Sequence, residues 1–291
     1  MTSTLTWFEL AEFDDFLTAS VVDPIYYWAT IRKAYHQTNF KADKTLSTKE
    51  ALALIRNHLV FPTGEEATLA TAKRLNFLME DFMKMGKVRN FLRRYPEESK
   101  IREFNRHAKR YFQLFQKDCG FDVCTTDRYL SKSGNLEACV IAKRVYEPNE
   151  EIKYLFGCLA QLDEEEINNF DQNDFSIINI SSKNTPCLML GPTRFVNHDC
   201  NGNAKFWSNK SGMTIVSVRR ILVGEEITVT YAANYFGKKN KDCLCATCER
   251  DGLGGFAPKQ DNAEQPQIVE DGSADENDKK VIEDVLSDEE N

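Results

Sequence analysis

No stretch of the chain approaches the ~20 consecutive apolar residues that a membrane-spanning helix needs. The opening residues, MTSTLTWFELAEFDD, are acidic early and carry no basic segment leading into an apolar run. That excludes the pattern of a secretory signal. Internal repeats are also absent. These absences predict an intracellular protein with no membrane attachment. Its nine cysteines are then expected as thiols or metal ligands rather than disulfides. Proline is scarce, with eight in 291 residues. Pro24, Pro62 and Pro96 fall between helix-like segments, where breaks belong.

The length allows one large domain or two modest ones. Charge is unevenly placed. Residues 261–291 hold 12 Asp/Glu against 2 Lys, a net of −10, whereas the whole chain is −8. The body, residues 1–260, is therefore slightly basic, at −8 − (−10) = +2. The acidic, aromatic-poor tail has the composition of a disordered segment. Basic charge is densest over 84–117, with 11 Lys/Arg against three Glu.

Residues 1–118 read as helices. Leu10, Phe13, Phe16 and Leu17 recur at helical spacing, as do Ile101, Phe104, Ala108, Tyr111 or Phe112, and Phe115. Ser47-Thr48-Lys49-Glu50 predicts a capping box before ALALIRNHLV. Thr63-Gly64-Glu65-Glu66 predicts another before a run ending near Met85. After Gly120 the texture changes to short β-branched runs: 139–146, 151–162, 175–182 and 213–222. Residues 163–174, DEEEINNFDQND, read as a short helix or a solvated loop. Strands without alternating helices point to compact sheets rather than a doubly wound fold. The expected class is α+β, helical first and mainly β after it.

Cys243, Cys245 and Cys248 place three sulfurs within six residues. Zinc takes four ligands in a tetrahedron, and thiolates are its usual structural set. Cys200 is the natural fourth because it sits in a polar turn, unlike Cys139, Cys158 and Cys187 among apolar residues. Free cysteines do occur buried and inert, but three so close in a polar loop argue for metal. Four thiolates leave no position open for water, so the metal is expected to be structural.

Asn197-His198-Asp199-Cys200 alone reads as a turn, and Tyr231 alone as a core aromatic on a strand. Together they say more. R-F-V-N-H-D-C, then G-E-E-I-T-V-T-Y, then C-x-C-x-x-C resembles the SET-domain protein lysine methyltransferases. GPTRFVNHDCNGNAKF, NYFGKKNKDCLCATCERDGLGGF and GCLAQLDEEEINNFDQNDFS are similar to the branch that methylates histone H4 at lysine 20, the suppressor-of-variegation enzymes and their fungal Set counterparts. DDFLTASVVDP (14–24) is similar to that branch's helical N-terminal region.

The resemblance implies a helical domain over 1–118, a mainly-β SET domain with a knot-like core over 119–238, a post-SET zinc-binding segment over 239–260 and the acidic tail over 261–291. It implies S-adenosyl-L-methionine as cofactor, bound by Asn197 and His198, with Leu244 closing over the adenine and Tyr129 and Ser131 contributing from an upstream stretch. Tyr231 takes the place of the catalytic tyrosine, and Phe175, Ser176 and Phe206 line the lysine channel. One structural zinc per chain falls on Cys200, Cys243, Cys245 and Cys248. Gly202 stands where the family commonly has proline, and Met189 where animal relatives have an aromatic residue. The Gly-x-Gly cofactor loop of many SET proteins is absent near 131–135.

The expected reaction moves a methyl group from a sulfonium to an amine. A lysine side chain with a pKa near ~10.4 is protonated at neutral pH and has no lone pair until an apolar channel disfavours its charge. Expected partners are the histone H4 tail and the nucleosome, in the nucleus. Residues 84–117 are either a DNA-contacting surface or a solvated amphipathic helix. Two other readings stand beside this one: a methyltransferase for another protein, and a silent SET module that binds chromatin. The presence of Asn197, His198 and Tyr231 together weighs against the silent module. A zinc-ribbon nucleic-acid binder is weaker still, because its ligands would be split by a run that is not basic.

Overall fold

The computed structural model describes residues 5–26, 45–134, 136–163, 165–166, 177–180, 185–209, 212–231 and 234–258. Most of the 163–174 segment, Phe175, Ser176 and the acidic tail lie outside them. Helix α1 (Trp7–Leu17) starts at a capping box, Thr6 accepting from the Glu9 amide while Glu9 reaches back. Its stripe of Leu10, Phe13, Phe16 and Leu17 is buried, and a π turn, Thr18–Val22, carries it on to α2 (Asp23–Tyr26). Helix α3 (Thr48–Ile55) begins at the Ser47–Glu50 capping box that the sequence predicts. The second predicted box does not form. Gly64–Thr68 is a 3-10 turn, and α4 (Thr71–Lys84) starts at Ala70 with no side-chain cap. Gly64 at φ +59 takes the chain through a left-handed step after Thr63, so the hydroxyl cannot meet a third-turn amide.

Helices α5 (Gly86–Leu92) and α6 (Glu98–Phe112) complete the helical layer. It is held by aromatic packing. Phe16 stacks on Phe91 at 4.2 Å, and Phe13 meets Phe104 edge-on at 5.2 Å. Each such pair is worth roughly 0.5–1.5 kcal/mol beyond its buried area. The basic surface of 84–117 is largely neutralised in place. Lys84, Lys87, Arg94, Lys100, Arg102 and Arg106 pair with Asp81, Glu50, Glu12, Glu9, Glu98 and Glu103. Among the described residues no carboxylate pairs with the exposed Arg89 and Arg93.

The β part holds three small sheets. Strands β1 (Phe121–Thr126) and β2 (Glu137–Ala142) form an antiparallel pair, with the short α7 (Leu130–Ser133) between them in sequence. The second sheet has order β3-β5-β4, from β3 (Cys158–Gln161), β4 (Ile177–Ile180) and β5 (Thr185–Leu190). The third has order β6-β9-β7-β8, from β6 (Asn197–His198), β7 (Ala204–Asn209), β8 (Gly212–Ser217) and β9 (Thr228–Val229). Helix α8 (Ala246–Asp251) follows the last cysteines' turn. One hydrophobic core runs from Leu10 in α1 to Tyr235, so helices and sheets are packed against each other. The architecture is α+β, helices first and a β-rich part after them. Among the described residues no helix is long and apolar enough to cross a membrane.

The third sheet decides the geometry of the site. Strand β9 lies between β6 and β7 and pairs in parallel with both, His198 and Ala204 each facing Val229. One segment therefore passes between two parts of another. Asn203 makes this crossing with its side chain, donating to the Glu226 carbonyl at 2.7 Å and accepting from the Thr228 amide at 2.9 Å. Gly202 lies at the closest approach. A Cβ there would stand 2.9 Å from backbone atoms of Val229 and Thr230. Glycine leaves room for that close approach. We predict that Gly202→Ala lowers stability by about 1–3 kcal/mol, as overpacking does. Denaturant unfolding checks it, and an unchanged midpoint would show that the crossing can give way.

Candidate functional site

The site grows from the turn that follows β5. Gly191 ends the strand, Pro192 opens a 3-10 turn, Pro192–Phe195, and Val196 returns the chain to an extended path into β6. Asn197 and His198 are then carried to the centre of the fold, 2% and 3% exposed. The Asn197 amide nitrogen donates to the Ala138 carbonyl and to Glu226 Oε1, both at 2.9 Å.

Tyr231 arrives from the other side, directly after β9. Its backbone amide donates to His198 Nδ1 at 3.0 Å, and its phenol donates to the Val196 carbonyl at 2.6 Å. The two sequence-distant motifs thus meet within one residue. Burial first, and then the carboxylates of Glu226 and Glu137, push the Tyr231 phenol well above its ordinary 10, so it stays protonated at neutral pH. Burial also pushes the His198 imidazole down to about 4, against a smaller opposing pull from Asp199.

An aromatic wall surrounds the phenol. Phe206 lies near-parallel to the Tyr231 ring at 6.3 Å, as a channel-lining residue would. Tyr235 packs edge-on at 4.8 Å, and Phe236 lies 5.1 Å from the His198 ring. Sequence reasoning missed Tyr235, Phe236 and Glu226. The adjacent Asn234-Tyr235-Phe236 after the Tyr231 strand was the available signal, and Glu226 was read only as part of a motif. Met189 is buried on β5.

The upstream stretch is tied to the C-terminal cysteine segment. Arg128 donates to the Leu244 carbonyl at 3.3 Å and to Glu249 at 2.7 Å, and Lys132 donates to the Asp242 carbonyl at 2.9 Å. Tyr129 sits in this junction. Burial first, and then the Glu226 carboxylate, push its phenol well above its ordinary value. Tyr129 and Leu244 are half-buried, whereas Ser131 is exposed. Tyr129 and Leu244 are therefore brought to the site, and Ser131 stands outside the contacts that define it.

The four cysteines converge although Cys200 is far from the others in sequence. Cys200 Sγ lies 3.9 Å from Cys243 Sγ and 3.6 Å from Cys248 Sγ. Four thiolates at about 2.3 Å from a central zinc would stand about 3.8 Å apart. Backbone amides point at the sulfurs: those of Cys200 and Cys248 at Cys245 Sγ, both 3.4 Å, and that of Cys245 at Cys243 Sγ, 3.5 Å. Burial first, then neighbouring sulfurs, push the Cys200 thiol up to about 12. The Cys243 thiol first, and then the Cys200 and Cys248 amides, pull Cys245 down to about 5 against burial. So many sulfurs cannot ionise together unless a cation joins them.

His198 competes for a place in that set. Its ligand atom and those of Cys200, Cys243 and Cys245 lie within 4.8 Å of one another, with Nε2 3.3 Å from Cys200 Sγ. Its tautomer argues against coordination. The Tyr231 amide can only donate, so Nδ1 accepts and the neutral ring carries its proton on Nε2. That nitrogen has no lone pair for a metal and instead donates towards the sulfur. On that argument the residues that could hold a metal are Cys200, Cys243, Cys245 and Cys248, with His198 beside them as a hydrogen-bonding neighbour.

The SET domain family profile matches residues 158–232. Over 262 residues the chain is 40% identical to a histone-lysine N-methyltransferase SET9 of Yarrowia lipolytica, covering 90% of this chain and 29% of that protein. It is 38% identical over 258 residues to the protein of that name from Phaeosphaeria nodorum, covering 87% of this chain and 37% of that one. It is 37% identical over 245 residues to the one from Schizosaccharomyces pombe, covering 84% and 53%. The chain thus spans roughly a third to a half of the length of these curated relatives. The methyltransferase domain of human PR domain-containing protein 2 superimposes at a TM-score of 0.30 and 12% identity, over 41% of this chain and 81% of that domain, too loosely to carry an argument. The chain thus carries a SET domain at residues 158–232, with the Asn-His turn, the tyrosine and the cysteines gathered at one place, and is homologous over most of its own length to these fungal histone-lysine methyltransferases.

Proposed function

We propose that this protein is an S-adenosylmethionine-dependent protein lysine N-methyltransferase that acts on histone H4 lysine 20 in nucleosomes, in the nucleus. The observation that carries the reading is the double hold of Tyr231 on the Asn197–His198 turn, through its amide onto His198 Nδ1 and its phenol onto the Val196 carbonyl. The choice of H4 lysine 20 rests on the resemblance of the motifs.

When bound, the cofactor supplies an electrophilic methyl group on a positively charged sulfur. Asn197, His198, Tyr129 and Leu244 are the residues that would hold it, and all four lie around the junction of the turn with the cysteine segment. The phenol of Tyr231 donates its hydrogen bond to the Val196 carbonyl, so the lone pairs of its oxygen are left as acceptors. It can orient an incoming amine and receive weak C–H···O contacts from a methyl group. With its pKa raised, Tyr231 does not serve as a general base. The aromatic wall of Phe206 and Tyr235 excludes water and disfavours an ammonium ion, which leaves a larger neutral fraction to attack. Alignment then supplies most of the rate. Phe175 and Ser176 are assigned to the channel, and Ser131 to the cofactor, on the resemblance alone.

One zinc ion on Cys200, Cys243, Cys245 and Cys248 would fix the C-terminal segment against the Asn-His turn. We expect metal analysis of the native protein to return about one zinc per chain. Cys248→Ser should lose it and His198→Gln should keep it. The opposite pattern would make the imidazole the fourth ligand.

Contact with nucleosomal DNA, if made through 84–117, falls to Arg89 and Arg93, because most neighbouring cations are already paired. Labelled-cofactor methylation of nucleosomes, followed by mass spectrometry of the histones, tests substrate and surface together. The expected label is on H4 lysine 20, is abolished by Tyr231→Phe, and is reduced on nucleosomes but not on H4 peptide by Arg89→Glu with Arg93→Glu. Label on another protein would support the alternative substrate, and none at all would leave a chromatin-binding module.

A further inference from the structure

A carboxylate on α1 reaches the turn that leads into the site. Asp14, on α1, is fully buried. Its Oδ1 accepts from His107 Nε2 at 2.7 Å, from the Tyr111 hydroxyl at 2.6 Å and from the Gly191 amide at 2.8 Å. Its Oδ2 accepts from Arg194 Nη1, and the Arg194 side chain is as fully buried as the carboxylate. Gly191 precedes the Pro192–Phe195 turn and Arg194 lies within it, so a single group on α1 holds it at two points.

The turn has little freedom elsewhere. Gly191 sits at φ +85, and a Cβ there would stand 3.1 Å from the Phe156 carbonyl. Within the turn Arg194 donates its amide to the Gly191 carbonyl and Val196 donates to Thr193, each at 3.1 Å. Val196 is the next residue, and its carbonyl accepts the Tyr231 hydroxyl at 2.6 Å. Any movement of the turn therefore moves the acceptor against which the phenol is aimed.

We propose that Asp14 is a positioning residue for methyl transfer: through Arg194 and the Gly191 amide it fixes the Pro192–Phe195 turn, and with it the direction of the Tyr231 phenol. The inference rests on the methyltransferase reading and adds a role for the N-terminal helix in the chemistry. Stability alone is a poor reason for such a group. Taking a carboxylate and a guanidinium out of water costs several kcal/mol for each ion, and well-packed apolar residues commonly do as well or better. A buried pair does hold a geometry, and transfer to an amine is sensitive to displacements of about 1 Å, which can cost ~100-fold in rate.

The test uses the whole chain with an H4 peptide, reading kcat, KM and, at matched conversion, the ratio of mono-, di- and trimethyl-lysine. Three variants are compared. Asp14→Asn keeps the shape and removes the charge. Asp14→Asn with Arg194→Met removes both charges of the pair, so that the guanidinium is not left facing a neutral amide. Tyr111→Phe removes one hydrogen bond onto Asp14 and is the mildest. The expected result for folded variants is a kcat lowered about 10- to 100-fold in the two Asp14 variants, a smaller fall for Tyr111→Phe, little change in peptide KM, and a changed product ratio in all three. Loss of active protein through unfolding does not alter that ratio at matched conversion. Wild-type kcat and product ratio in the folded double variant would overturn the proposal, as would a rate that merely tracks the folded fraction at constant ratio. No transfer by the wild-type protein to any histone would overturn the enzyme reading and the positioning role with it.

Discussion

Tyr231 is held at both ends by the same short turn, and the rest of the structure follows from what that requires. Its amide needs an unprotonated ring nitrogen, which burial of His198 provides. Its phenol needs a carbonyl that does not move, which Val196 provides. Both acceptors lie on residues 196–198. They can be reached only because β9 runs between β6 and β7, where Asn203 bonds across the gap and Gly202 leaves room for the backbone to pass. Interleaving of this kind is rare, since chains seldom thread one another. Its benefit here is geometric: two segments some thirty residues apart cannot separate without breaking a sheet.

The parts outside the crossing act on it from two sides. On one side the cysteine segment folds back, and Arg128 and Lys132 stitch it to the stretch that carries Tyr129. The proton on His198 Nε2, directed at Cys200 Sγ, links the imidazole that receives Tyr231 to the proposed metal ligands. On the other side α1 and α6 press against β3 and β5 through the shared core. Helices and sheets are thus one mechanical unit around the site, and the helices do more than present a surface.

Much of this was legible in the residues. The core face of α6 is periodic because one side of that helix is buried, and the stripe of α1 stands out because Glu12, Asp14 and Asp15 lie between its apolar residues, although they are buried as well. The Ser47 box is legible because capping is local chemistry, decided within four residues. The same reasoning failed at Thr63, where the left-handed Gly64 diverted the chain. Strand β5 (TPCLML) is not legible because Cys187–Leu190 are buried on both faces and show no alternation, whereas β7 (AKFWSN) does alternate, Ala204 and Phe206 inward and Lys205 and Trp207 outward, over a run too short to stand out. In the site, the cysteines were legible by spacing, and Asn197, His198 and Tyr231 only in combination. Asp14 and Glu226 were not, because a buried carboxylate looks in sequence like any surface acid. What identifies it is the set of donors that tertiary packing brings, and no local pattern encodes them.

The central claim is that the Asn-His turn, Tyr231 and Leu244 enclose one cavity for a sulfonium donor. A crystal structure of the chain with S-adenosylhomocysteine tests it most directly. The account predicts the adenosyl group between Leu244 and the Asn197–His198 turn, with the sulfur facing the Tyr231 phenol. A product bound elsewhere, with its sulfur out of contact with that phenol, would contradict it.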